Sequence, residues 1–169
     1  KTGSASVTVM IDQLAYVTVT PGTVSVVAGA TQGFVAVGYD QFGNPISGVI
    51  FLWTSNIGTM AGSTLTAQST AGSLGYVSAQ AGVVSGDAYV TIIPGPLDHI
   101  DVNPPSLSAV AGSQTQFSAV GRDQYNNAIP GLTFSWSTTV GTITSSGLFT
   151  AQSVAGISGY DHSKIRILF

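Results

Sequence analysis

The sequence contains no cysteine and no glutamate, and only 7% of its residues are charged. A typical soluble domain has about 25% charged residues, so solubility must rest here on Ser, Thr, Asn, Gln and Gly. The lack of cysteine excludes disulfides, thiolate metal sites and a cysteine nucleophile. A hydrophobic content of 44% is nevertheless enough to build cores, and disorder is therefore not expected.

Basic residues are almost as scarce. Only Lys1, Arg122, Lys164 and Arg166 are basic, and the net charge is −3. Nucleic-acid binding requires Lys and Arg to neutralise phosphates, so no nucleic-acid partner is expected. No apolar run approaches the roughly 18 residues of a membrane span, and membrane insertion is not expected. The chain begins with Lys1 and shows no signal peptide, which predicts that an upstream segment was removed or left out.

The groupings that catalysis needs are also missing. There is no Gly-x-Ser-x-Gly motif and no phosphate-binding glycine loop. A glycosidase carboxylate pair would have to use two of seven scattered Asp residues. The two histidines, His99 and His162, have no metal-ligand companion at helical or hairpin spacing. The sequence therefore predicts that the protein is not an enzyme and holds no cofactor.

An internal repeat dominates what is present. Leu14-Ala-Tyr-Val-Thr-Val-Thr-Pro21 aligns with Leu97-Asp-His-Ile-Asp-Val-Asn-Pro104, an offset of 97 − 14 = 83. The same offset relates Asp40 to Asp123 and Trp53 to Trp136. After one inserted residue the offset is 84, and other pairs continue the match: Ala67-Gln68 with Ala151-Gln152, and Tyr76 with Tyr160. The chain therefore contains two copies of one structural unit.

Within each copy the apolar residues alternate with a period of two, which is the pattern of strands. In the first copy, strands are predicted near 15–20, 23–28, 32–39, 49–55, 57–61, 63–68, 74–81 and 86–93, here lettered A, A′, B, C, D, E, F and G. Short runs of Gly, Pro, Asn and Ser separate them. The predicted fold is all-β, with two tandem immunoglobulin-like β-sandwiches.

The motif of the repeat carries a family resemblance. It reads Val-Ala-Gly-(x)4-Phe-x-Ala-Val-Gly-x-Asp-Gln-(Phe/Tyr)-x-Asn-x-Ile-x-Gly, followed by Phe-x-Trp-(Ser/Thr), Gly-Thr and Thr-Ala-Gln. This motif resembles the bacterial Ig-like repeats of invasin- and intimin-type adhesins, S-layer proteins and other large surface proteins. The resemblance implies an extracellular, cell-surface location and a structural or adhesive role, which the absence of cysteine fits.

The two ends of the chain do not match the repeat boundaries. At the offset of 83, Gly3–Val9 aligns with strand G at Gly86–Ile92. Residues 1–13 are therefore predicted to be an additional G-type strand, with domain 1 at 14–96 and domain 2 at 97–169. Tyr160 is followed by only nine residues, Asp161 to Phe169. These are predicted to form strand F and to leave domain 2 without its final strand.

A spare strand and an incomplete sandwich predict assembly by strand exchange, because an open sheet edge pairs with a strand from a neighbour. The expected partner is another copy of this chain, forming a homo-oligomer or a head-to-tail polymer. The residues predicted to carry this assembly are Gly3, Ala5, Val7, Val9, Ile165 and Ile167.

Two alternatives remain open at this stage. The chain is a fragment of a multidomain adhesin or S-layer protein, with other surface proteins or glycans as partners. Alternatively, it is a spacer or carbohydrate-binding module of a secreted glycoside hydrolase. The segment Asp161–Phe169 does not resemble the rest of the repeat and holds two of the four basic residues, which keeps the fragment interpretation open.

Two sets of polar and aromatic residues have competing interpretations. The Trp residues of strand C are expected in the cores rather than as sugar-stacking platforms, and Tyr76 and Tyr160 resemble the tyrosine corner of Ig-like domains. Asp40 and Asp123 are expected to shape the turn between strands B and C, with no bound metal. The alternative is calcium bound by oxygen ligands from these turns and the linker strand: Asp40, Asn44, Asp98, Asp101, Asp123 and Asn127.

Overall fold

The computed structural model describes residues 1–154. The chain divides into two compact units, Lys1–Ile93 and Pro94–Phe169, here called unit 1 and unit 2. The division lies three residues before the predicted boundary between 96 and 97. The described residues contain strands and no helix, so the all-β prediction is confirmed. Among them, no helix is long and apolar enough to cross a membrane.

Unit 1 contains ten strands, and the eight predicted segments are all represented. They are β1 (Tyr16–Thr20), β2 (Thr23–Val27), β3 (Thr31–Gly33), β4 (Val35–Tyr39), β5 (Pro45–Ile46), β6 (Leu52–Ser55), β7 (Gly58–Ala61), β8 (Thr64–Ala67), β9 (Leu74–Ala81) and β10 (Val84–Ile93). Predicted strand B is divided into β3 and β4 at Phe34, whose N–H donates to the carbonyl of Ser63. The short β5, which pairs with β4, was not predicted.

The strands of unit 1 form two layers in the immunoglobulin arrangement. One layer has strand order β2-β10-β9-β6, in which β2 and β10 are parallel and the other pairs are antiparallel. The other layer contains β1-β4-β5 and β3-β8-β7, which are linked where the chain passes from β3 to β4 at Phe34. Alternate residues of these strands point inward, as the period-two pattern requires. The inward residues form one buried cluster that includes Phe34, Leu65, Val77, Val90 and Ile92.

Within residues 94–154, unit 2 shows strands of the second of these two layers. Its described strands are β11 (His99–Asn103), β12 (Gln114–Gln116), β13 (Ser118–Arg122), β14 (Thr142–Ile143) and β15 (Leu148–Thr150). They pair as β11-β13 and β12-β15-β14, which repeats the β1-β4 and β3-β8-β7 pairings at the predicted offsets. Phe117, Phe149 and Trp136 pack together, with ring centroids 6.0 and 6.3 Å from Phe117.

The counterparts of β2 and β6 in unit 2 form no strand within residues 1–154. In unit 1 these two strands pair with β10 and β9 respectively. At the offset of 84 the counterpart of β9 falls in 158–165, which lies outside the described residues, and the counterpart of β10 would begin at 84 + 84 = 168. Predicted strand C of the second domain is thus absent from the described part of the structure.

Candidate functional site

Asp40 lies at the centre of the turn between β4 and β5 and is buried. Its Oδ1 accepts hydrogen bonds from the backbone N–H groups of Phe42 (2.9 Å) and Asn44 (2.8 Å). Its Oδ2 accepts from the side-chain amide of Asn44 (2.9 Å) and the backbone N–H of Asp12 (3.4 Å). The bond from the Asn44 side chain is the main cause that lowers the pKa of Asp40, and burial opposes it.

Asp123 makes the same set of contacts in unit 2 and is fully buried. Its Oδ1 accepts from the N–H groups of Tyr125 and Asn127, and its Oδ2 accepts from the Asn127 side chain, each at 2.9 Å. The N–H of Gly95 donates to Oδ2 at 2.8 Å. Burial alone raises the pKa of Asp123, but the hydrogen bonds from Asn127, Gly95 and Tyr125 outweigh it and lower the pKa to about 2.

Each Asp therefore joins a turn to the segment that enters its own unit. Asp12 and Gly95 are equivalent, because 12 + 83 = 95, and each lies two residues before the leucine that opens a repeat. In unit 1 the entering segment has a further contact, since Gln41 donates from its Nε2 to the Asp12 carboxylate at 2.7 Å. Sequence reasoning identified the turn, but it did not predict this contact with the preceding segment.

The other calcium candidates lie in a different group on the surface. Asp101 accepts a hydrogen bond from the Arg122 guanidinium, and Asp98 lies 2.9 Å from Nδ1 of His99. Both carboxylates are more than half exposed. Across residues 1–154 no group of three or more His or Asp side chains could hold a metal ion. Within unit 2, Asp98 and Asp101 are thus exposed and paired with His99 and Arg122, whereas Asp123 is buried.

Calcium is expected to leave the melting temperatures of both units unchanged. A carboxylate has about four lone-pair sites. Asp40 accepts four hydrogen bonds from N–H groups, and so does Asp123, so the sites of both are already occupied. A metal ion would have to displace these donors. Thermal unfolding in excess Ca²⁺ and in EDTA measures the effect, because a ligand that binds the folded state raises the melting temperature. A calcium-dependent rise of several degrees that Asp40→Asn or Asp123→Asn removes would show that a site exists.

The two Trp residues lie against the cores, although both remain partly exposed. Trp53 on β6 packs against the buried cluster of unit 1. Trp136 packs against Phe117, and its ring closely approaches Gly147. Both positions favour the core interpretation over a sugar-stacking platform.

Tyr76 does not occupy a tyrosine corner. Its side chain lies on the outer face of β9 and is 42% exposed, directly across from Tyr89 on β10. With Leu74, Gly75, Val90 and Thr91, these tyrosines line a shallow depression on the outside of unit 1. The sequence resemblance failed here because strand periodicity places Tyr76 on the face opposite Val77, which is buried. Tyr160 lies outside the described residues.

The predicted assembly residues of the N-terminal segment are exposed. Residues 1–13 form no strand with any described part of the chain. Gly3 and Ala5 are exposed, and Val7 and Val9 are 86% and 92% exposed. Ile165 and Ile167 lie outside the described residues. The four N-terminal residues correspond at the offset of 83 to Gly86, Ala88, Val90 and Ile92, of which the last three are buried in β10.

The strand order and the repeated turns define the chain as two tandem units of immunoglobulin-like β-structure. No protein-family model matches the sequence, and no curated protein matches it. Solved structures resemble the chain. The Yersinia pseudotuberculosis adhesin InvE is 19% identical over 74% of this chain and 40% of its own, with a TM-score of 0.41.

Two further structures are of the same kinds. The Escherichia coli adhesin FdeC is 18% identical over 93% of this chain and 65% of its own, with a TM-score of 0.48. Domains 5–6 of the S-layer protein SbsC are 16% identical over 88% of both chains, with a TM-score of 0.37. The chain spans less than two thirds of the InvE and FdeC structures. The neighbours are thus adhesins and a surface-layer protein, the kinds of protein that the repeat motif resembles.

Proposed function

We propose that this chain is a non-enzymatic structural part of an extracellular surface filament or layer, assembled head-to-tail through its N-terminal strand. Three features support this proposal: the repeated Ig-like units, the nearly uncharged surface and the motif of the repeat. A surface rich in Ser, Thr and Gly tolerates close packing beside identical neighbours, since few like charges repel each other.

One observation carries the mode of assembly. Residues 1–10 repeat the sequence of β10, yet Val7 and Val9 are almost fully exposed where Val90 and Ile92 are 1% exposed. A segment with an alternating apolar face, paired with no strand of residues 1–154, is suited to pair with an open sheet edge. Strand addition of this type supplies affinity through backbone hydrogen bonds and specificity through alternate side chains. The partner is a second copy of the same chain.

A second candidate function is a module array within a longer adhesin or S-layer protein. The N–H of Asp12 binds Asp40 as the N–H of Gly95 binds Asp123. Residues 1–10 therefore stand before unit 1 in the sequence just as β10, their counterpart at the offset of 83, stands before unit 2. In this interpretation they are the last strand of a preceding module, and other surface proteins or glycans are the partners.

Deleting residues 1–10 is expected to abolish assembly and to leave the melting temperature of unit 1 unchanged. The deleted residues contribute no strand to unit 1, and the contacts of Asp12 with Asp40 are retained. Analytical ultracentrifugation and electron microscopy of the parent and deletion variants over a range of concentrations measure the effect. A parent chain that stays monomeric throughout would refute strand donation and favour the module array.

A further inference from the structure

Unit 1 shows how a G-type strand is held in this fold. Strand β10 pairs in parallel with β2, with Val90 opposite Val24 and Ile92 opposite Val26. Its inward residues Ala88, Val90 and Ile92 are at most 1% exposed. Its outward residues include Asp87 and Tyr89, which are exposed. One face of β10 therefore closes the core, and one edge covers β2.

The counterpart of β2 in unit 2 lacks such a neighbour among the described residues. It spans 106–110, and every residue in it is exposed, including Leu107 at 40% and Val110 at 77%. Ala109 is exposed where its counterpart Val26 is buried. On β11, the inward residues Ile100 and Val102 are only half-buried, whereas Val17 and Val19 on β1 are buried.

The N-terminal segment has the side chains that this edge needs. The residues equivalent to the inward positions of β10 are small or apolar: Gly3, Ala5, Val7 and Val9. The residues between them, Ser4, Ser6 and Thr8, are polar. This alternation matches a strand with one buried face and one solvated face, although the whole segment is exposed in the single chain.

Gly3 supplies an independent argument. Its counterpart Gly86 lies where β10 crosses β1, and a Cβ there would be 2.3 Å from the carbonyl oxygen of Val17. In the single chain, Gly3 has nothing within 4 Å of the same position. No contact with the described residues requires glycine at position 3, whereas a strand docked as β10 is docked would require it.

We propose that residues 2–10 of one copy bind residues 106–110 of a second copy as a parallel strand, with Val7 opposite Leu107 and Val9 opposite Ala109. This inference rests on the proposed strand donation and adds its acceptor and its register. The register is that of β10 and β2 in unit 1, where Val90 pairs with Val24. Val7 is the counterpart of Val90, since 90 − 83 = 7, and Leu107 is the counterpart of Val24, since 24 + 83 = 107. Gly3 then lies against Ile100, the counterpart of Val17.

Within unit 1, the chain enters at one end of the sandwich and leaves at the other. Gly86 approaches Val17 and Ile93 pairs with Val27, so β10 runs in the same direction as β1 and β2. The entry of unit 1 at Asp12 and its exit at Ile93 therefore lie at opposite ends of the sandwich, roughly 30 Å apart for a strand of this length. Met10 is two residues from the entry, whereas Pro94, which begins unit 2, follows the exit.

Disulfide trapping tests the register directly, because the chain has no cysteine of its own. A full-length chain with Val9→Cys and Ala109→Cys is expected to form an interchain disulfide on mild oxidation, since paired residues on neighbouring strands lie within disulfide range. The control combines Thr8→Cys with Ala109→Cys, which places the first thiol on the opposite face. We expect at least roughly tenfold less product from the control. An intrachain disulfide would overturn the choice of a second copy.

Charge substitution gives a second measurement in which folding is not at risk. Val9→Asp is expected to weaken the association at least roughly 100-fold, because it buries an unpaired charge. Thr8→Asp, on the solvated face, is expected to leave association within about threefold of the parent. Equal effects of the two variants would overturn the proposed orientation of the strand.

The outcomes also separate this inference from the proposed function. If deletion of residues 1–10 abolishes assembly but the pair at 9 and 109 does not cross-link, strand donation stands and the acceptor and register are wrong. If the unaltered chain never assembles, strand donation fails and this inference fails with it.

Discussion

Replacing Trp53 with alanine is expected to lower the free energy of unfolding of unit 1 by about 3–5 kcal/mol, the usual cost of truncating a large aromatic side chain in a core. Trp53 packs from β6 against the buried cluster, beside Ala79, which is fully buried. Removing the indole leaves a cavity between the two layers. Because Trp53 is partly exposed, the lower end of this range is expected.

The matched control is Tyr89→Ala, which removes an aromatic side chain from the outer face of the same sheet. Tyr89 is 65% exposed, so its loss is expected to cost less than about 1 kcal/mol. Denaturant unfolding followed by circular dichroism measures both variants. A cost below about 1 kcal/mol for Trp53→Ala would remove Trp53 from the core and restore the sugar-platform interpretation.

Replacing Asp123 with asparagine is expected to lower the melting temperature of unit 2 by on the order of 10 °C. The new amide NH₂ would face N–H groups that now donate to the carboxylate of Asp123. If it replaces Oδ2, the N–H of Gly95 and the side-chain amide of Asn127 lose their acceptor. The two Trp residues separate the units experimentally, since Trp53→Phe leaves Trp136 as the fluorescence reporter of unit 2. Asp40→Asn, followed through Trp53, is the equivalent variant of unit 1.

The same carboxylate gives unit 2 a defined dependence on pH. The pKa of Asp123 is about 2 in the folded protein and near 3.9 in an unfolded chain. A lowered folded pKa stabilises the folded state above the unfolded value and loses that contribution as pH falls through the folded value. Unit 2 is therefore expected to lose stability between roughly pH 4 and pH 2.

Asp123→Asn should remove this part of the pH dependence, because the amide does not titrate. The exposed Asp87 of β10 provides the control, and Asp87→Asn should leave the acid transition of unit 2 unchanged. If Asp123→Asn and the parent unfold over the same acid range, hydrogen bonding to the ionised Asp123 does not stabilise unit 2.

The sequence alone determined the strands of unit 1 other than the short β5, and the equivalence of the two copies. Period-two alternation and short Gly- and Asn-rich turns are local properties, so they can be read without knowing which strands pair. The offset of 83 then related the Asp turn and the Trp of one copy to those of the other, and the N-terminal segment to strand β10. The Asp40 and Asp123 turns could be predicted for the same reason, because an Asp binds its own backbone two residues on.

Only the tertiary structure decided which side chains meet across longer distances. It joined Asp40 to Asp12 and Asp123 to Gly95, contacts made across 28 residues that no local pattern indicates. It placed Tyr76 on the outer face of its sheet, and it buried Asp123 while pairing the exposed Asp101 with Arg122. The exposure of residues 106–110 is likewise non-local, because a segment becomes part of a core only when a neighbouring strand covers it.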